Sequence, residues 1–97
     1  MAETDDMLQR YAAGARVLSE MVGDEVVLLD LGSTCYFGLN PVGALVWECL
    51  IQGQTVRQAV EAVLARYQVQ AEPVRADVRA LVQSLLQQGL LVPRRDR

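Results

Sequence analysis

The sequence predicts an α+β domain in which a three-stranded antiparallel sheet precedes three helices. Three observations carry this. Short strand-like runs from Val17 to Val22, Glu25 to Asp30 and Thr34 to Leu39 are separated by Gly23-Asp24 and Leu31-Gly32-Ser33, which read as turns. From Val42 onward the apolar residues recur at three- and four-residue spacing, the period of an amphipathic helix. Between the two regimes stands Asn40-Pro41, residues favoured at the N-cap and the first position of a helix.

In chain order, residues 1–15 read as an N-terminal segment that is disordered or a short helix, with Met7, Leu8 and Tyr11 at helical spacing before Gly14. The folded domain is expected over residues 16–93, with 94–97 as a tail. The first two strands form a hairpin through Gly23-Asp24. The third completes a meander in which the second strand is central and the third an edge. Alternation along the third strand places Cys35, Phe37 and Leu39 inward, and Thr34, Tyr36 and Gly38 outward. An edge strand presents unpaired N–H and C=O groups and can accept a peptide.

The first helix has an apolar stripe of Val42, Leu45, Val46, Cys49 and Leu50, with Trp47 at its border, and ends at Gly53. Thr55 caps the second, whose stripe is Val56, Ala59, Val60, Val63, Leu64 and Tyr67. The third starts near Glu72-Pro73 and carries a broad apolar face of Val74, Val78, Leu81, Val82, Leu85 and Leu86 before Gly89. Leu90-Leu91-Val92 reads as a returning short strand. Helices two and three, joined around Val69 to Glu72, resemble a helix-turn-helix pair with the strands as a wing, so the predicted architecture is winged helix-turn-helix-like.

Composition narrows the function. A length of 97 residues suits one small domain, and 52% hydrophobic residues place it in the globular range with no apolar run long enough to span a bilayer. The acidic start, Met1 to Asp6, lacks the form of an export signal, so a cytoplasmic location is expected. A formal charge of −3 and a pI near 4.8 argue against a phosphate-binding surface and hence against nucleic acid as a partner. With no histidine and only Cys35 and Cys49, unsuitably spaced, no metal, no cofactor and no disulfide is expected. Neither thiol has an obvious activating base, so the chain reads as non-catalytic.

The run YFGLNPVGALVWECL at residues 36–50, the GQTV-capped second helix, Asp77-Val78 in the third and LLQQGLL at its end closely resemble the PqqD-like family over about residues 16–93. The most specific parts are Phe37 to Asn40, Trp47, Asp77 and Gly89-Leu90. The resemblance implies a precursor-peptide recognition element of a pathway making ribosomal, post-translationally modified peptides. Such an element binds the leader of a precursor as an added antiparallel strand on the third strand, with leader side chains in a groove against the third helix. The phrase from Leu29 to Leu50 looks most like the stand-alone leader-binding proteins of lasso-peptide pathways, which implies a leader protease and a cyclase as partners. Pyrroloquinoline-quinone biosynthesis is the sibling possibility.

The candidate peptide-binding residues are Thr34, Cys35, Tyr36, Phe37 and Gly38 on the strand, and Asp77, Val78, Leu81, Val82 and Leu85 on the third helix. The last four cannot all face one groove, so some belong to the core. Asp77 would meet a polar group or cation of the leader, or form a surface pair with Arg75 or Arg79. A winged-helix DNA-binding regulator is the rival class, opposed by Asp77 between those two arginines. An oligomeric module using the edge strand is a third.

Overall fold

The computed structural model describes residues 7–94. Strands β2 (Val17–Val22) and β3 (Glu25–Asp30) pair antiparallel from Val17 opposite Asp30 to Val22 opposite Glu25. Their two-residue turn needs a left-handed residue, which Gly23 supplies at φ +67°. Strand β4 (Cys35–Leu39) pairs with the other side of β3, from Val26 opposite Leu39 to Asp30 opposite Cys35, so β3 is central and β4 an edge, as the sequence predicts.

One of the outward strand residues is not in the strand. Thr34 belongs to the turn, where Asp30 accepts hydrogen bonds from the Gly32 N–H and the Ser33 hydroxyl, both at 3.0 Å, and Thr34 adopts φ +57°. Such a conformation is uncommon for a β-branched residue, and the Asp30 carboxylate is what holds the turn that requires it.

Helices α1 (Pro41–Ile51), α2 (Val56–Arg66) and α3 (Ala71–Gln87) follow. Asn40 caps α1 by accepting a hydrogen bond from the Gly43 N–H at 2.8 Å, and Thr55 and Gln58 form a reciprocal capping box on α2. Each cap satisfies donors that the helix leaves orphaned. Replacing Asn40 or Thr55 with alanine is therefore expected to cost about 1 kcal/mol, read as a lower urea midpoint with unchanged slope. Helix α3 begins two residues before Pro73, which falls in the first turn, where its missing N–H costs nothing.

The N-terminal segment meets expectation only in part: Met7 and Leu8 are helical, but the helix does not extend to Tyr11. Its first six residues lie outside the described residues, but Tyr11–Ala13 form strand β1, paired antiparallel with β5 (Leu91–Pro93) in a second, two-stranded sheet. The Gly14 N–H donates to the Leu90 C=O at 2.9 Å and the Arg94 N–H to the Arg10 C=O at 3.0 Å, so both ends of the described chain are held together. Tyr11 is buried there. Three apolar residues were too few to distinguish a helical period from an anchored strand. Of the expected tail, residues 95–97 lie outside the described residues.

Helix α1 touches β1, β3, β4, α2 and α3. Being surrounded, it buries more than one stripe: Gly43, Ala44, Val46, Trp47, Cys49 and Leu50 are all inside. Trp47, expected at the border, is 1% exposed and is the largest side chain of the core.

Candidate functional site

Which backbone groups β4 offers follows from the ladder. The Leu31 N–H donates to the Arg16 C=O at 2.8 Å, which makes residues 16 and 31 a bonded pair just beyond the ends of β2 and β3. Bonded and non-bonded pairs alternate in an antiparallel sheet, so Leu29, Val27 and Glu25 also aim their amides at β2, while Val26, Leu28 and Asp30 aim theirs at β4. The partners of that second set are Leu39, Phe37 and Cys35. The amides left pointing away from the sheet are those of Tyr36 and Gly38. Among the described residues nothing pairs with this edge of the sheet.

Beside the edge lies a groove of about 420 Å³. Its walls come from three elements: Phe37, Gly38 and Leu39 of β4, Asn40 with Val42, Gly43 and Val46 of the start of α1, and Asp77, Val78 and Leu81 of α3. The lining is mostly apolar, with Asp77 as its charge. Arg75 turns to Glu72 at 2.9 Å rather than to Asp77, which is exposed at the groove. The combination of outward amides and an adjacent apolar groove is one that binds an extended peptide, the backbone supplying affinity and the groove selecting a side chain.

The structure brings Phe37, Gly38, Asp77, Val78 and Leu81 together in this groove. Tyr36 and Cys35 lie on the same strand, Tyr36 76% exposed. Cys35, expected inward, is exposed because it opens the strand opposite Asp30, at the turn end of the sheet. Thr34 lies in the turn before the strand. Val82 and Leu85 do not reach the groove: at 3% and 0% exposure they are core residues on the side of α3 that the other helices cover.

Sequence reasoning missed the contribution of α1. Asn40, Val42, Gly43 and Val46 line the groove because the Asn40 cap joins β4 to α1 without a loop, which forces the first helical turn to lie against the strand's end. The Asn40-Pro41 pair was the available signal.

Burial, and then the neighbouring Glu48 carboxylate, push the Cys49 thiol up from its ordinary value, which keeps it neutral and unreactive. Among the described residues no group of three or more His, Cys, Asp or Glu is arranged to hold a metal ion, and no helix is long and apolar enough to cross a membrane.

This fold and groove define a small winged α+β domain with an open sheet edge, and the family model for coenzyme PQQ synthesis protein D (PqqD) matches residues 25–91. The chain belongs to the PqqD family. Among solved structures it is similar to TbiB1 in complex with the TbiA(beta) leader peptide, with 35% identity, 88% of this chain and 99% of that one covered, and a TM-score of 0.79. It is also similar to a lasso peptide synthetase B1 complexed with the leader peptide, with 26% identity, 87% and 99% covered, and a TM-score of 0.79. A comparison with curated protein sequences gives no significant match.

Proposed function

We propose that the protein is a non-catalytic, cytoplasmic adaptor that binds the leader region of a ribosomal precursor peptide as an added strand on β4 and presents it to a leader protease and a cyclase in lasso-peptide biosynthesis. The observation that carries this reading is the outward-facing amides of Tyr36 and Gly38 beside the apolar groove, in a chain similar to two proteins that were solved holding leader peptides. The leader backbone meets the edge, an apolar leader side chain enters between Phe37, Val42, Val78 and Leu81, and Asp77 receives a donor or cation at the rim. Thr34, in the preceding turn, and Cys35, at the start of β4, flank the docking edge. The family description favours a second reading, in which the precursor belongs to pyrroloquinoline-quinone biosynthesis. The identity of the precursor that binds decides between them. The rival regulator of DNA finds no support in α3, where Arg75 is engaged by Glu72 and Asp77 faces outward.

Calorimetry with a synthetic leader of about 15 to 20 residues is the direct test. A short added strand with two or three anchored side chains reaches about −8 to −10 kcal/mol, a submicromolar to micromolar Kd. The isolated core peptide should bind far more weakly, and equal affinities for leader and core would overturn the proposal.

The non-catalytic role has its own test. Changing both Cys35 and Cys49 to serine should leave leader affinity within about twofold, with a stability loss of about 1–3 kcal/mol from the hydroxyl placed at buried position 49. Unaided cleavage of the precursor by the purified protein, lost in the folded double variant, would make Cys35 a nucleophile instead.

A further inference from the structure

The face of the three-stranded sheet turned away from the helices carries an apolar row that the core does not use. Register sets Leu18, Leu29 and Tyr36 side by side across β2, β3 and β4, with Leu18 and Tyr36 55% and 76% exposed. Cross-strand pairing alone does not require large apolar groups on a solvent face, and grouped ones mark interaction surfaces. In the adjoining rows Glu20 stands beside Val27, and Glu25 beside Val22, so the two charged residues that the paired strands place on this face are acidic.

We infer that this row is the surface on which the leader-cleaving protease docks, through an apolar patch with a basic rim. The inference rests on the leader-binding reading above. A leader added to β4 becomes a fourth strand next to Tyr36, with its alternate side chains on this same face. The row and the bound leader then form one continuous surface, so a protein seated there contacts adaptor and leader together and distinguishes the loaded adaptor from the empty one. The protease must follow the leader to its end, which gives it reason to read that composite face. Charge argues against a second copy of this chain as the occupant: two such faces would oppose their own Glu20 and Glu25, whereas a basic rim pairs with them.

The test uses the full chain carrying Leu18→Glu, a change on β2, two strands and about 10 Å from the leader edge. Calorimetry should give a leader Kd within twofold of the unaltered protein, while adaptor-stimulated cleavage of the precursor by the separately purified protease falls at least tenfold. The pair Glu20→Lys and Glu25→Lys should produce the same split without touching the apolar row, and added salt should slow cleavage by the unaltered pair. Val69→Glu, at an equally exposed apolar residue after α2, should change neither measurement. Normal cleavage with both sets of sheet-face variants, at normal leader affinity, overturns the inference alone. Failure of the unaltered protein to bind leader overturns the underlying reading and this one with it. A concentration-dependent dimer in sedimentation that Leu18→Glu dissociates, with cleavage unchanged, assigns the face to a second copy and likewise overturns it.

Discussion

Tyr36→Pro should weaken leader binding on the order of 10- to 100-fold, about 1.4–2.8 kcal/mol, while Tyr36→Ala changes it by less than about threefold. The Tyr36 amide points away from β3 by the alternation of the ladder, so proline removes a donor that the sheet does not use and places its ring where an added strand would lie. Alanine keeps that donor and deletes only a side chain that stands on the opposite face from the groove. Phe37→Pro provides the contrast, because its amide is spent on β3: that variant should lose the β3–β4 ladder and melt far earlier, at a cost of about 3 kcal/mol or more. Calorimetry on variants checked by circular dichroism reads all three. Equal losses for Tyr36→Pro and Tyr36→Ala in folded protein would mean that the peptide does not dock through the backbone of β4.

The edge was legible in the sequence because its signals are local. Gly23-Asp24 fixes the register of the first hairpin, the alternation of Phe37 and Leu39 fixes the facing of β4, and Asn40-Pro41 ends the strand. The groove was legible only in part. Val78, Leu81, Val82 and Leu85 have the same apolar chemistry and the same helical spacing, and which of them face the groove depends on how α3 is rotated against α2 and β4. No local pattern encodes that rotation. The β1–β5 sheet was hidden for a related reason: its two strands are three residues each and some eighty residues apart in sequence, and pairing at that distance leaves no periodic trace.

Trp47 shows the same limit and gives the largest expected effect on stability. A helical wheel puts it at the edge of the α1 stripe, yet elements on several sides of α1 bury it to 1% exposure. Trp47→Ala should therefore cost about 3–5 kcal/mol. For a chain of 97 residues the whole stability is about 5–15 kcal/mol, so the variant should lie close to unfolding, with a Tm lowered on the order of 20 °C. The indole Nε1 adds a finer expectation. It is buried and meets no hydrogen-bond acceptor among the described residues, so within these the side chain is held by packing rather than by a bond. Trp47→Phe removes that donor while keeping most of the apolar volume, and its cost should be less than half that of Trp47→Ala. Calorimetric melting of the two variants decides the matter: a phenylalanine variant as unstable as the alanine one would show that the indole N–H contributes a stabilising bond, and that the core around α1 is held by more than apolar packing.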